Sequence, residues 1–394
     1  MKQPIYLDHA ATTPLDPTVL EKMTPYLTEV YGNANSQHMF GRAADKGVDA
    51  ARDTIASLIG AKPSEIYFTS GGTEADNWAL RGIMLAQREK KHFVISAIEH
   101  AAMLETAKAL AKLGFEYSLA KVDQDGRVDL DYLKSIVRED TALVGVMTAN
   151  NEVGTIQPIR EIAAIAHEKG ALMFTDAVQA AGVLDLNVKE LGVDLMSASS
   201  HKIYGPKGVG MLYVRNGVRI ENLVTGGHQE RTRRGGTTNV PGVVGFAEAF
   251  RLAVANREAN NAHVTALRDR FIDRVLAEVP DVKLNGHRTE RLPANADFSF
   301  RYIEGESVLF SLDLAGIAVS SGSACSSGSL EPSHVLLAMG LPEELAHGSI
   351  RFTFGKHNTV EEVDYTVDTL KSIVMRLREM SPLFHGIGGE ESHV

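Results

Sequence analysis

Four side chains in this sequence stand where covalent or acid–base chemistry is accessible: Cys325, Lys202, Asp176 and His100. Cys325 is the single cysteine of the chain and lies within Ser-Ser-Gly-Ser-Ala-Cys-Ser-Ser-Gly-Ser, residues 320–329. A buried structural cysteine behaves as a small hydrophobe and keeps apolar neighbours, and this run has none. The pattern predicts a thiol on a mobile, accessible loop, either a nucleophile or an inert loop thiol. Lys202 closes Ser199-Ser200-His201-Lys202, after a predicted strand and before the glycine-rich turn 205–210. One reading is a solvated surface lysine. The other is the amine that holds pyridoxal phosphate (PLP), a cofactor that also requires a carboxylate beside its ring nitrogen. Asp176, at the end of the predicted strand 172–175, supplies such a carboxylate; alone it reads equally as a turn or N-cap residue.

A phosphate group needs backbone N–H donors at a helix N-terminus. Ser70-Gly71-Gly72-Thr73-Glu74-Ala75 offers a strand, a turn and a helix start in that order. No Lys-Ser/Thr follows at P-loop spacing, and the glycines of 205–210 lack the dinucleotide spacing. His100 follows another predicted strand, where an imidazole can stack on a ring and exchange protons near neutral pH, or simply cap a helix. Asn150-Asn151-Glu152 follows a fourth strand and can bond a ring hydroxyl, or form a turn. Arg351, in a predicted strand, carries the fork that clamps a carboxylate, or makes a structural ion pair. The basic run 231–236 reads as a phosphate-facing or subunit-contact loop. No histidine spacing suggests a metal site.

These residues need a scaffold that brings strand ends together. The chain has 394 residues, 44% hydrophobic and 23% charged, enough for two cores. The net charge of −10 argues against binding a nucleic-acid backbone, which needs clustered cations. One cysteine excludes an intrachain disulfide and suits a reducing compartment. Neither a secretory leader nor an apolar run of membrane-spanning length is present, so a soluble cytoplasmic protein is expected. Short apolar runs at 66–69, 92–96, 143–147, 172–175, 195–198 and 210–214 alternate with amphipathic stretches at 74–87, 101–113 and 159–169. That alternation predicts an α/β fold with a mainly parallel sheet, whose ligands lie beyond the carboxyl ends of the strands. Residues 243–279 read as one long helix, 295–300 and 349–354 as half-exposed strands of a smaller α+β C-terminal domain, and Thr359 with Glu362 as a capping box.

Taken together, residues 7–13, 70–77, 150–154, 176–179 and 199–202 resemble the class V aminotransferase group. The segment 320–334, with Gly226-Gly227-His228-Gln229-Glu230-Arg231, is similar to cysteine desulfurases of the NifS type. The resemblance runs from residue 5 to about 380. It implies a fold type I PLP-dependent transferase, with a large PLP-binding domain over 15–258. The small domain would comprise 1–14 and 259–380 and carry the cysteine loop, leaving a disordered tail over 381–394. It further implies that Lys202 holds PLP, Asp176 pairs the ring nitrogen, Gln179 and Asn151 touch the ring oxygen, and His100 stacks on the ring. Gly72, Thr73, Ser199 and His201 would hold the phosphate, joined by Thr237 from the neighbouring subunit of a homodimer. Asn33 and Arg351 would bind the carboxylate of L-cysteine; where the family often has Pro after this Asn, the chain has Ala34. Lys202 would take the Cα proton. Cys325 would receive the sulfur as a persulfide, releasing alanine and passing the sulfur to an iron–sulfur scaffold or another acceptor protein. An ordinary aminotransferase or selenocysteine lyase would share Lys202 and Asp176, and an aminotransferase would not need Cys325.

Overall fold

The computed structural model describes residues 4–87, 89–321, 331–382 and 384. In chain order the strands among them are β1 (Ile5–Tyr6), β2 (Ile66–Thr69), β3 (His92–Ser96), β4 (Glu116–Ala120), β5 (Thr141–Gly145) and β6 (Leu172–Asp176). Then follow β7 (Leu195–Ser199), β8 (Gly210–Val214), β9 (Val282–Asn285), β10 (Asn295–Phe300), β11 (Ile317–Ala318) and β12 (Ser349–Thr353).

Seven strands form the central sheet in the order β2-β8-β7-β6-β5-β3-β4. The pairs β3–β4, β3–β5, β5–β6 and β6–β7 are parallel, and β8 runs antiparallel to both β7 and β2. Strands β3, β5, β7 and β8 are buried along their whole length. This explains their near-continuous apolar sequences, since helices cover both faces of such a sheet. The helix Gly72–Ala86 buries Trp78, Leu80, Ile83 and Met84 on one face, and Trp78 Nε1 donates to the carbonyl of Glu221 at 2.9 Å. On the other face a second cluster joins the helices Met39–Leu58 and Val240–Ala255 to the sheet.

A separate core lies in the C-terminal third. The antiparallel sheet β12-β10-β9 packs against the helices Arg257–Glu278, Gly305–Leu314 and Val360–Glu379. Phe271 is its centre, with ring centroids 4.7 Å from Phe352, 5.5 Å from Phe354 and 6.0 Å from Phe298. The N-terminal Ile5 and Leu7 belong to this core, and β1 pairs in parallel with β11.

The structure departs from the sequence pattern at two places. The helix expected over 243–279 is two helices, Val240–Ala255 and Arg257–Glu278, broken at Asn256 (φ −105°, ψ 9°). The Asn256 side chain bonds the Leu252 carbonyl at 2.9 Å, the local competition for backbone that makes asparagine a poor helix-interior residue. Strands β10 and β12 are not half-exposed but buried on both faces. Their alternation is real: Ala296, Phe298 and Phe300 enter the aromatic core. The polar face finds partners inside the protein, with Asn285 Nδ2 donating to Asp297 Oδ1 at 2.7 Å and to Ser299 Oγ at 2.8 Å. The capping box at Thr359 and Glu362 is present. The tail expected over 381–394 lies outside the described residues except for Ser381, Pro382 and Phe384.

Replacing Phe271 with alanine would remove the ring on which three other phenylalanines pack. The expected cost is about 3–5 kcal/mol, read as a lower denaturant midpoint in urea unfolding with the slope unchanged.

Candidate active site

The carboxyl ends of β6 and β7 carry the first part of the site. Asp176 is the last residue of β6 and the register partner of Ser197 on β7, so their side chains leave the sheet on one face. Asp176 is 6% exposed, and its Oδ1 accepts from the Val178 N–H at 2.8 Å. Burial pushes this carboxyl above its usual range, opposed by the nearby His100, by the Val178 amide, by Lys202 and by Ser197.

Lys202 follows β7 directly, in the single turn Ser200–Lys202. Its Nζ donates to the carbonyls of Ala10 at 2.5 Å and Ala11 at 2.7 Å. The N-terminal segment is strapped across this turn. Thr13 N–H and Oγ1 both donate to the His201 carbonyl, at 3.0 and 2.9 Å, and Thr13 Oγ1 accepts from Tyr204 N–H at 2.8 Å. Tyr204 has φ 63°, a left-handed geometry that costs a non-glycine residue about 1–2 kcal/mol and is offset by these bonds. His201 Nδ1 lies 3.1 Å from Thr12 Oγ1. Burial, with Lys202 and Lys207 adding to it, lowers the imidazole to about 4, so His201 is neutral at physiological pH.

The third part is the N-terminus of the helix Gly72–Ala86. Its first turn has no side-chain cap, which leaves backbone N–H groups for an anion. Glycine is required here by close approach. A Cβ on Gly72 would lie 2.7 Å from Val178 Cγ2, and one on Gly210 would lie 2.6 Å from the Ala198 carbonyl and 2.8 Å from the Gly71 backbone. Ser199, buried at the end of β7, lies beneath the turn; its Cβ would be 3.9 Å from such an atom on Gly72. Thr73 is exposed on the first turn. An open ring of N–H donors, a glycine cradle, a buried carboxylate and a lysine amine at one sheet edge fit PLP in its chemistry and in its order of parts.

The remaining expected residues are distributed as follows. His100 caps the helix Ala101–Ala111, its Nδ1 accepting from Ala102 N–H at 3.1 Å. Gln179 Nε2 donates to the Ala10 carbonyl at 3.0 Å, beside the Lys202 amine. Arg351, buried in β12, has its fork engaged: Nη2 pairs with Asp8 at 2.9 Å and Nη1 donates to the Asn151 carbonyl at 2.9 Å. Its buried Nε has no hydrogen-bond partner among the described residues. Asn33 is exposed in a turn where its Oδ1 accepts from Asn35 N–H at 3.0 Å. Thr237 is exposed beyond the basic loop. In that loop Arg234 pairs with Glu74 at 2.8 Å, on the first turn of the helix Gly72–Ala86. Glu230 makes a two-point pair with Arg52 at 2.8 and 2.9 Å. Cys325 lies outside the described residues.

Three features were not read from the sequence. The carbonyls of Ala10 and Ala11 hold the amine of Lys202, and a backbone acceptor leaves no sequence signal. Asp76 and Glu99 are fully buried carboxyls close to Asp176. Each sat inside a motif that drew attention to its neighbours, and their burial depends on how the helices dock. A cavity of about 450 Å³ opens beside Lys202 and Gln179, with His9, Tyr204, Val264 and Asn295 in its wall. Among the described residues no cluster of three or more His, Asp or Glu side chains could hold a metal ion. No helix among them is long and apolar enough to cross a membrane.

The family model described as aminotransferase class-V matches residues 5–366. The cysteine desulfurase IscS of Dictyoglomus turgidum is 52% identical over 383 residues, 97% of each chain. That of Methanosarcina thermophila is 50% identical over 380 residues, 96% of this chain and 94% of the other. Among solved structures, a NifS-like protein superposes with a TM-score of 0.90 at 39% identity, covering 95% of this chain and all of the other. A NifS-like protein from Rickettsia africae does so with a TM-score of 0.85 at 31% identity, covering 94% and 99%.

Gly72→Ala tests the anion end alone. The added methyl meets Val178, an overpacking that costs about 1–3 kcal/mol and displaces the first turn. Binding of inorganic phosphate to the protein freed of cofactor, measured by calorimetry, is expected to weaken about tenfold or more.

Proposed function

The chain belongs to the class-V aminotransferase family, and on that premise we propose how its residues divide the work of desulfurising L-cysteine. It is a PLP-dependent cysteine desulfurase with the fold type I architecture. The observation that carries the residue assignment is the meeting of Lys202, Asp176 and the uncapped turn at Gly72 on one edge of the sheet.

When bound, PLP supplies a protonated ring that draws electron density from the amino acid's Cα. The N–H groups at Gly72 and Thr73, with Ser199 and neutral His201, would hold the phosphate. Asp176 would pair the ring nitrogen, Asn151 and Gln179 would bond the ring oxygen, and His100 would stack on the ring. Arg351, through the nitrogen now held by Asp8, binds the substrate carboxylate with Asn33. Lys202 Nζ moves the Cα proton; the Ala10 and Ala11 carbonyls define where that amine rests. Cys325 Sγ attacks the substrate sulfur. A sulfur–sulfur bond forms on Cys325, the carbon–sulfur bond of the substrate breaks, the sulfur is oxidised and Cβ reduced, and proton transfer to carbon yields alanine. The reaction balances as thiol plus cysteine giving persulfide plus alanine, with no external oxidant. A free thiol has a pKa of about 8.5, so its deprotonation calls for help from His100 or from the PLP site.

We divide the chain into a large domain over 15–258 and a small domain of 1–14 with 259–380. The two phenylalanine-rich and aliphatic cores support this division. The exposed Thr237 suits a contribution to a partner subunit's phosphate site in a homodimer. The persulfide passes to an iron–sulfur scaffold or another acceptor protein in the reducing cytoplasm, where a lone thiol persists.

Incubation with L-cysteine followed by mass analysis tests the reading. Wild-type protein is expected to gain one sulfur on Cys325 and to release alanine. Cys325→Ala should keep the visible colour of bound cofactor and lose the added sulfur; a Cys325→Ala protein that still acquires it would sink the assignment. His100→Ala is expected to slow persulfide formation by about 10²-fold and to alter its pH profile. Arg351→Lys should raise KM about tenfold or more, because a point charge cannot replace the fork, with a smaller change in kcat.

A further inference from the structure

One turn beyond Gly72, the same helix carries a second buried carboxyl. Asp76 is 1% exposed, and none of the ion pairs among the described residues includes it. Ser197 Oγ lies 2.6 Å from Asp76 Oδ1. Ser197 is itself fully buried and, as the register partner of Asp176, turns the same hydroxyl toward that carboxyl. One hydroxyl therefore stands between two carboxyl groups in a region closed to water. A hydroxyl has one hydrogen to donate. If both carboxyls were ionised, one would face only the lone pairs of Ser197 while two like charges were held together without solvent. Under those conditions one member of a pair takes up a proton. The surroundings decide which. The charged groups that face Asp176 include His100 from the helix Ala101–Ala111 and Lys202 from the turn after β7. Asp76 faces Asp176 and Glu99. Glu99 is itself buried, its Oε1 accepting from Ser96 Oγ at 2.6 Å and Met147 N–H at 2.8 Å, and burial raises it to about 8. Asp76 is raised well above the usual carboxylate range, by burial first and by Asp176 second.

We propose that Asp76 is a carboxylic acid in the folded protein and acts through Ser197 as a positioning residue for Asp176. The Asp76 hydroxyl donates to Ser197 Oγ, and Ser197 O–H donates to Asp176. The negative charge of the pair then rests on Asp176, which is aimed by a chain of two hydrogen bonds. The proposal rests on the assignment of Asp176 to the PLP ring nitrogen, because it states what keeps that carboxylate ionised and oriented.

The test compares wild type with Asp76→Asn, Asp76→Ala and Ser197→Ala in two measurements. The first is urea stability of the cofactor-free protein from pH 5 to 9. A carboxyl raised in the folded state contributes stability at low pH that is lost as pH climbs toward the folded value. Wild type should therefore fall progressively relative to Asp76→Asn as pH rises. A difference that stays constant across this range means that Asp76 is ionised throughout and overturns the proposal. The second is the pH midpoint of the visible absorption of the holoenzyme. Asp76→Asn, a neutral group that can still donate to Ser197, should keep the wild-type midpoint. Asp76→Ala should move it by about one unit, a tenfold change in proton affinity; Ser197→Ala reads the same bond where Asp76→Ala does not fold. An Asp76→Asn midpoint displaced as far as that of Asp76→Ala, or no displacement in any variant, overturns the positioning role. The stability measurement involves neither cofactor nor cysteine, so failure of the desulfurase assignment would leave it unchanged.

Discussion

A carboxyl at the end of β6, enclosed by protein, sets the terms for the rest of this structure. Burying Asp176 raises the energy of its charged form. The fold answers with an amide from Val178, a neighbouring imidazole and a lysine amine. Each of these comes from a different segment of the chain. The parallel register of β6 and β7 gathers them at one edge, because every parallel strand ends in a loop on the same side of the sheet. The same edge receives the open N-terminus of the helix Gly72–Ala86, whose dipole and free N–H groups favour an anion. The edge thus keeps the uncapped helix start apart from the buried carboxyl of Asp176.

The Lys202 turn is fixed by a different device. Residues 10–13 cross it and supply carbonyls to the amine, while Thr13 ties the strap to the His201 and Tyr204 backbone. The segment continues from β1 and Leu7, which belong to the phenylalanine core. Position of the amine is therefore coupled to packing in the C-terminal third of the chain. Arg351 makes the same connection in reverse: it sits in β12 of that core and reaches Asp8 and the Asn151 carbonyl. The two cores meet at the reactive groups, so a change in their relative placement would alter the amine and the guanidinium together.

Much of this was legible in the residue pattern. The alternation of β-branched and apolar runs with amphipathic stretches located the principal strands of the sheet, because parallel strands buried on both faces have nowhere to place polar residues. The short motifs around Gly72, His100, Asp176 and Lys202 were readable as strand-end loops for the same reason. Reading failed where a local pattern has two tertiary outcomes. The alternation at β10 and β12 suggested solvent on one face, yet Asn285 supplies Asp297 and Ser299 with internal partners. The stretch around Asn256 has helical composition on both sides, yet the helix ends there, where the Asn256 side chain bonds back to Leu252.

Residue types and their spacing fix which chemistry is available: a lone thiol among small residues, a lysine after a strand, an aspartate at a strand end and a glycine pair before a helix. They do so because these residue types have few other reasons to occur together at strand boundaries. Folding set the burial of Asp176 and the backbone partners of Lys202. The proximity of Asp76 to Ser197, the carbonyls facing Lys202 and the engagement of Arg351 with Asp8 all join residues more than a hundred positions apart. Such contacts depend on burial and register, and burial is a property of the packed molecule that no local stretch of sequence encodes.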